Sequence, residues 1–186
     1  MKKLLALFAA VLLLTGCTGK RNLMDRCMTM RARLLACESC SFDASVTADY
    51  GDAVRTFRLR CEGRSDGTLG FEVLEPETIS GITGRFGAGK GELTFDDAVL
   101  AFPLLADDQI TPVSGPWILL RSMLGGYLSG CTMEEDLLRL TIDDSYQQEP
   151  IQLDVWLDSQ DQPRWTEILY DGRRIITMDI ENFQIR

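Results

Sequence analysis

The order of apolar and polar residues along the chain predicts two kinds of element. Across residues 23–36, apolar side chains recur at intervals of three and four positions, which is the period of a helix. Most of the chain after this segment alternates between apolar and polar residues, as strands with one buried face do. The predicted strands are 42–50, 54–61, 70–74, 79–86, 92–95, 99–104, 137–142, 151–157, 165–170 and 175–183.

Two turns fix the register of neighbouring strands. If the first hairpin turns at Gly51-Asp52, the numbers of facing residues sum to about 103. Cys40 then faces residue 63 and Cys61 faces residue 42, so the two cysteines become diagonal neighbours. The dipeptide Asp171-Gly172 predicts a tight two-residue turn in the last hairpin.

A second helix is predicted at residues 117–129, where the alternation stops and apolar residues repeat at helical spacing. Gly125-Gly126 weakens its middle, because glycine is a poor helix former. Two roles stay open for this helix: a core element that plugs a curved sheet, or a mobile lid over a lipid groove. The residues that would form this lid or plug are Trp117, Leu120, Met123, Leu124, Tyr127 and Leu128.

The predicted order is one helix, about five strands, a second helix and four strands. Antiparallel strands with few helices indicate an α+β fold, in which one curved antiparallel sheet is covered by one or two helices. Acidic pairs such as Asp143-Asp144 fall in predicted turns, where we expect them to be solvated.

Residues 1–16 have the anatomy of a secretory signal, because Lys2 and Lys3 precede an apolar run. That run, 4–14, rises only about 16 Å as a helix, whereas a bilayer core measures roughly 30 Å. The end of the segment, Leu14-Thr15-Gly16-Cys17, resembles the lipobox of bacterial lipoproteins. The other interpretation is an ordinary signal peptide followed by an incidental cysteine.

The lipobox resemblance implies a diacylglyceryl group on Cys17 and cleavage before it. We therefore expect a lipidated tether at 17–22 and a single domain at 23–186. The protein would be anchored on the extracytoplasmic face of the cell membrane, with the outer membrane as the alternative location.

The net charge of the chain limits the classes of partner that it can bind. The net charge of −9 includes Lys2 and Lys3, so removal of the signal would leave −11. Such an acidic protein is a poor ligand for nucleic acids or anionic headgroups, so we expect no nucleic acid partner and attachment through acyl chains. The membrane is thus a partner only through the lipid anchor.

The chain contains no histidine, which removes the commonest general base and metal ligand. Residues 84–90 match only the first seven positions of a phosphate-binding loop, and the residues after them do not open a helix. We therefore expect no enzyme activity, no catalytic residues, no metal site and no cofactor.

Five cysteines follow Cys17, and outside the cytoplasm they can oxidise. The register of the first hairpin favours a Cys40–Cys61 disulfide, with Cys37–Cys61 as its rival. Cys131 could join Cys27 or Cys37 on the first helix, and the remaining alternative is reduced, buried cysteines. Cys37 and Cys40 have the spacing of a redox motif, but the helix ends there instead of starting there.

The C-terminal third resembles the LolA/LolB/RseB-type superfamily of lipoprotein carriers. The residues that carry this resemblance are 155–158, Pro163, Glu167-Ile168, 170–174 and the final strand at 179–183 with its Asn182-Phe183 pair. A strand that opens with Ser41-Phe42 after an N-terminal helix is similar too. The resemblance implies an incomplete antiparallel β-barrel that encloses helices, and a lipobox makes the chain more similar to LolB and to the anchored GerS-type lipoproteins of spore-forming bacteria.

Two functions follow from the resemblance. The first is binding of lipid or lipoprotein acyl chains in the concave face of the half-barrel. The second is a non-enzymatic envelope interaction module with a plugged barrel, of the GerS type, in sporulation, germination or envelope maintenance. A filled interior favours the second function, and an open hydrophobic cavity favours the first.

Overall fold

The computed structural model describes residues 18–87, 93–95, 110–144 and 151–186. Cys17, the predicted signal segment and the predicted strand at 99–104 lie outside these residues. The elements are α1 (Thr18–Ala36), β1 (Cys40–Asp49), β2 (Val54–Gly63), β3 (Leu69–Glu75), β4 (Thr83–Phe86), β5 (Leu93–Phe95), α2 (Gly115–Gly125), β6 (Tyr127–Glu134), β7 (Leu137–Asp143), β8 (Ile151–Leu157), β9 (Pro163–Tyr170) and β10 (Arg173–Ile185).

Within the described residues, all ten strands belong to one open antiparallel sheet. Their order is β5-β4-β3-β2-β1-β10-β9-β8-β7-β6, so β5 and β6 form the two edges and the first and last strands meet at the centre. The fold is therefore α+β, with a curved, unclosed antiparallel sheet and helices against it, as the pattern of the sequence predicted.

The register of the first hairpin is the predicted one. Cys40 faces Gly63 and Phe42 faces Cys61, so facing residue numbers sum to 103. In the last hairpin, Asp171 and Gly172 both have positive φ, 48° and 75°, which is the geometry of the predicted two-residue turn.

One face of the sheet, called the inner face below, carries the core. In β1, Phe42, Ala44, Val46 and Ala48 are buried and alternate with half-buried residues of the opposite, outer face. Alternation puts every second side chain on one face, so each strand contributes a row to a single apolar layer. The inner-face rows of the other long strands include Leu59, Cys61, Phe71, Val73, Leu138, Leu140, Ile142, Leu153, Val155, Ile168, Ile176, Met178 and Ile180.

The centre of the sheet carries a local irregularity in β10. Asn182 has a φ of 55°, and the β1–β10 register shifts between Ser41 and Asp43. The Asn182 side-chain amide donates a hydrogen bond to Asp43 Oδ2 at 2.9 Å. Phe183 stacks on Phe42 with 5.7 Å between ring centroids. The Asn-Phe pair therefore joins the first strand to the last one, with Asn182 on the outer face and Phe183 in the core.

The second helix is shorter than the sequence predicts. It ends at Gly125, and Tyr127 and Leu128 belong to β6, where they face Asp143 and Ile142. The N–H of Gly126 donates to the carbonyl of Ser122, and the extended ψ of 155° at Gly126 then turns the chain into the strand. The glycine pair thus ends the helix instead of forming a hinge within it. The predicted strand at 79–86 is likewise reduced to β4, after a short 3-10 turn at Glu77–Ile79.

The two adjacent glycines should respond differently to alanine. A Cβ at Gly126 would lie 2.4 Å from Ile142 Cγ2 and 2.7 Å from the Ser122 carbonyl oxygen, whereas nothing lies within 4 Å of a Cβ at Gly125. We expect Gly126→Ala to lower the free energy of unfolding by about 2 kcal/mol through overpacking. Gly125→Ala should change it by no more than about 1 kcal/mol, in the stabilising direction, because alanine favours the helix.

Urea unfolding followed by circular dichroism measures both changes. Equal stability of the two variants would contradict the close packing at the start of β6.

Candidate functional site

The helix α2 lies against the inner face of the sheet. Every residue from Pro112 to Leu120 is buried, as are Ser122 and Met123. Residues on all sides of this helix are therefore shielded from water, which is typical of an element enclosed by the fold rather than one lying on its surface. The inner face, where the sequence predicted an acyl-chain site, is occupied by the chain itself.

The N-terminal half of α2 is positioned by Trp117. Its ring stacks on Phe86 of β4 with 5.4 Å between centroids and 17° between planes. Its indole N–H donates to the carbonyl oxygen of Gly67 at 3.1 Å, so the polar atom of this buried ring is satisfied. Trp117 therefore joins α2 to the β2–β4 side of the sheet.

Two glycines allow α2 to approach the sheet closely. A Cβ at Gly115 would lie 3.0 Å from Met178 Sδ, and a Cβ at Gly63 would lie 2.5 Å from Leu120 Cδ2. One glycine belongs to the helix and the other to β2, so each removes a side chain from the contact. The helix is consequently packed against both the centre and one half of the sheet.

The middle of α2 is held by an ion pair. Arg121 Nη2 lies 2.6 Å from Asp144 Oδ2, and the Ser122 hydroxyl lies 3.1 Å from the same oxygen. Asp144 is only 1% exposed, and the Arg121 guanidinium also lies 4.6 Å from the centre of the Trp117 ring. The expectation that Asp144 is solvated is therefore wrong, because Arg121 and Ser122 replace the water that this carboxylate would lose.

The C-terminal end of α2 is capped by a side chain of α1. Arg31 Nε donates to the carbonyl of Met123 at 2.7 Å, and Nη2 donates to the carbonyl of Gly126 at 2.8 Å. A helix leaves its last carbonyls without internal partners and carries partial negative charge there, so a guanidinium is a favourable cap. Arg31 thereby fixes α2 to α1 as well as to the sheet.

The six predicted lid or plug residues separate into two groups. Trp117, Leu120 and Met123 are buried within α2, and Leu124 packs partly against the core. Tyr127 and Leu128 lie in β6, and Tyr127 is 67% exposed. The sequence did not reveal Arg31, Arg121 or Asp144 as part of this arrangement, because each acts on an element distant from it along the chain.

A polar groove of about 490 Å³ lies on the outer face, across β10, β1, β2 and β3. Arg60 is its central cation, with Nη1 3.2 Å from Glu72 Oε2 and Nε 3.9 Å from Asp43 Oδ1. Asn182 borders the same groove through its bond to Asp43. Charged and amide side chains line this groove beside Phe42, Cys61 and Phe71, so it suits a partner segment that carries both polar and apolar groups.

A second groove, of about 430 Å³, lies between α1 and the junction of α2 with β6. Met24, Met28 and Leu128 make it apolar, and Met28 is 49% exposed. We call it the methionine groove. Unbranched methionine side chains adapt to ligands of irregular shape, which makes this surface a candidate for an apolar ligand.

A second buried carboxylate lies on the outer face near the β6 edge. Asp154 accepts hydrogen bonds from Arg139 at 2.8 Å and from the Thr141 hydroxyl at 2.7 Å. Arg139 also donates to Glu134 at 2.7 Å, and Trp156 Nε1 donates to the same carboxylate. Apart from the buried Arg139 Nε, which has no hydrogen-bond partner among the described residues, these groups are partnered within β6, β7 and β8, so the network orders this edge.

The cysteines of the described residues are all free thiols. Cys40 and Cys61 occupy the predicted diagonal positions on the inner face, and both are buried. Burial raises the pKa of the Cys40 thiol to about 11 and raises that of Cys61 well above its usual value. The Cys40–Cys61 disulfide stays a prediction.

The comparisons with known proteins concern the fold. No protein-family model matches the sequence, and no curated protein matches it either. Solved structures are similar at low identity. A LolA superfamily protein from Nitrosomonas europaea has 9% identity and a TM-score of 0.38, over 86% of this chain and 93% of its own. A DUF1329 family protein from Desulfovibrio piger has 10% identity and a TM-score of 0.43, over 89% and 92%.

A third structure is a domain from Vibrio parahaemolyticus assigned as an outer membrane lipoprotein-sorting protein, with 8% identity and a TM-score of 0.42, over 87% of this chain and 91% of its own. The LolA superfamily therefore appears among the similar structures, as the resemblance in the sequence led us to expect.

Two further observations bear on the type of protein. Neither helix in the described part of the chain combines the length and hydropathy that crossing a membrane requires. The same residues contain no group of three or more acidic, cysteine or histidine side chains arranged to hold a metal ion.

Removal of the Arg31 cap should weaken the attachment of α2. We expect Arg31→Ala to lower the free energy of unfolding by about 2 kcal/mol, because buried helix carbonyls lose a charged donor. Arg33 lies in the last turn of the same helix and is exposed, so Arg33→Ala should change stability by no more than about 0.5 kcal/mol.

Chemical denaturation of the two variants checks this expectation. Arg31→Lys should give an intermediate loss of stability, because an ammonium group lacks the planar, bidentate donor geometry of a guanidinium. A similar loss in the Arg31 and Arg33 variants would show that the cap contributes little.

Proposed function

We propose that this protein is a membrane-tethered lipoprotein of the cell envelope that acts as a non-enzymatic interaction module. The observation that carries the proposal is the burial of α2 against the inner face, with every residue from 112 to 120 shielded from water. A half-barrel filled in this way offers its outer surface to a partner rather than its interior to a ligand.

Energetics favour a plug over a lid. Moving Trp117, Leu119, Leu120 and Met123 from the core into water would cost about 1.5–3 kcal/mol for each side chain, or roughly 6–12 kcal/mol together. Loss of the Arg31 cap would add to this cost, because the carbonyls at the end of α2 would lose a charged donor. Even the lower value leaves fewer than about one molecule in ten thousand open without a ligand.

The tether rests on the sequence features around Cys17. The lipobox-like residues 14–17 would place the acyl chains one residue before α1, which begins at Thr18. Two or three acyl chains are sufficient for stable attachment, and a net charge of −11 after cleavage would not add electrostatic attraction to anionic lipids. The domain would thus be held at the membrane surface by its N-terminal end, on the extracytoplasmic side.

The polar groove is the proposed contact surface for an envelope protein. Arg60, Asp43 and Glu72 present both signs of charge within one groove, which sets the orientation of a polar partner segment. The groove lies on the face opposite α2, so a partner can bind there without displacing the core.

Binding of an acyl chain is the second candidate function, and the methionine groove is the observation that favours it. Its volume of about 430 Å³ falls in the range of small-molecule sites, and Met24 and Met28 give it an apolar wall. The Vibrio parahaemolyticus domain, with its assignment to lipoprotein sorting, is consistent with such a ligand. In this alternative the acyl chain binds beside α2 instead of replacing it.

Hydrogen exchange distinguishes a plug from a lid. With the full chain in detergent micelles, we expect amides 118–123 to exchange as slowly as those of β8, because both would require global unfolding. Vesicles of phosphatidylglycerol should leave these rates unchanged. If the amides of α2 exchanged at least tenfold faster than those of β8, the result would favour a mobile lid that covers a lipid-binding site. A change in the exchange rates of α2 on addition of vesicles would favour the same conclusion.

Photo-crosslinking in the native envelope separates the two candidate functions. A benzophenone amino acid in place of Arg60 should give a discrete protein adduct, and one in place of Asp136, on an exposed turn, should not. Glu72→Lys should reduce the adduct, because it reverses a charge in the polar groove. An adduct of phospholipid mass from the position of Met28, without a protein adduct at Arg60, would support acyl-chain binding instead.

A further inference from the structure

A pair of cysteines joins the first helix to the edge of the sheet. Cys27 lies in α1 and is 2% exposed, and Cys131 lies in β6 and is half-buried. The helix α1 packs along β6, and this packing brings the two thiols close enough to interact electrostatically. They are separated by 104 positions in the sequence, yet the fold places them in contact.

The position of Cys27 is set by contacts that do not involve the thiols. Arg26 Nε donates to Asp161 Oδ1, in the turn between β8 and β9, at 2.9 Å. One helical turn after Cys27, Arg31 binds the carbonyls at the end of α2. Because α1 is anchored on both sides of Cys27, the two sulfur atoms are brought together by the fold and would not have to find each other by diffusion.

We propose that Cys27 and Cys131 form a disulfide that fastens α1 to the edge strand β6. This bond would hold α1 against the edge strand β6, so that α1 covers part of that edge. It would also connect the proposed membrane tether covalently to β6, which lies at the opposite end of the sheet from β5. The proposal concerns the thiol pair alone and does not depend on the function proposed above.

The oxidant is a disulfide, either glutathione disulfide or the active-site disulfide of an exchange protein. The more accessible thiolate, that of Cys131, attacks one sulfur of the oxidant and releases the other as a thiolate. Cys27 then loses its proton to that leaving thiolate or to water. The Cys27 sulfur attacks the Cys131 sulfur of the mixed disulfide and releases the second half of the oxidant as a thiolate. Two protein thiols are oxidised and one disulfide is reduced to two thiols.

The other cysteines offer less favourable pairs. Cys40 interacts with both Cys37 and Cys61, so any bond it makes excludes the other and leaves one thiol unpaired. Cys61 is wholly enclosed in the inner face, and burial raises its pKa. Burial also raises the pKa of Cys27, to about 11, so the Cys27 pair is favoured by the accessibility of its second thiol and not by the pKa of the buried one. Cys131, in contrast, is partly open to a dissolved oxidant.

Tryptic mapping tests the proposal directly because the arginines separate the cysteines. Cleavage gives 27–31 with Cys27, 34–55 with Cys37 and Cys40, 61–64 with Cys61, and 122–139 with Cys131. The folded full chain is treated with glutathione disulfide, quenched in acid, alkylated and digested without reductant. We expect a cross-linked peptide that contains 27–31 and 122–139.

Two variants complete the experiment. Cys131→Ser should abolish the cross-link and leave Cys27 open to alkylation after unfolding, whereas Cys37→Ser should leave the cross-link intact.

In the wild type, oxidation should raise the melting temperature by on the order of 10 °C, because the bond closes a loop of about a hundred residues.

Full alkylation of both Cys27 and Cys131 in the oxidised wild type, alone or with a cross-link of 34–55 to 61–64, would overturn the proposal. Because this result is read from the wild type, it does not depend on the folding of either variant.

Discussion

The described residues form an open ten-stranded sheet with one apolar face that must be kept from water, and this requirement governs the rest of the structure. In a closed barrel the strands themselves would enclose the interior. Among the residues that the structure describes, β5 and β6 lie at opposite ends of the sheet, so a helix supplies the layer that covers its inner face. That requirement accounts for the burial of α2 along most of its length. It also accounts for the close contacts at glycines with β2 and β10 and for the packing of Trp117 toward β4.

Apolar packing alone would not fix the position of α2 on the sheet, because hydrophobic contact has little directional preference. The directional contacts are polar: the Trp117 indole to the Gly67 carbonyl, Arg121 to Asp144, and Arg31 to the end of the helix. They lie at the beginning, middle and end of α2 and reach three separate parts of the fold. A buried ion pair adds little net stability, so its contribution here is to specify one arrangement of helix and sheet.

Much of the sheet was predictable because its signals are local. The turn at Gly51-Asp52 and the alternation beside it determined the β1–β2 register, and the bounds of β8 coincide with its run of alternating residues. The α2–β6 junction was not predictable in this way, since Tyr127 and Leu128 continue the apolar spacing of the helix. The burial of Asp144 was missed because its sequence resembles a solvated turn and its partner Arg121 lies 23 positions away. Arg31 donates to the carbonyl of Met123 across 92 positions, and no local pattern around either residue indicates that contact.

The central pairing of β1 with β10 has a consequence for how the chain reaches its folded state. The strand that begins at Cys40 obtains its second neighbour only when the segment that ends at Ile185 is present. Because this contact joins position 40 to position 185, the two halves of the sheet cannot pair at the centre until the segment up to Ile185 has been synthesised. Loss of the last thirteen-residue strand would therefore not shorten an edge; it would divide the sheet between β1 and β9 and leave α2 as the link between the two parts.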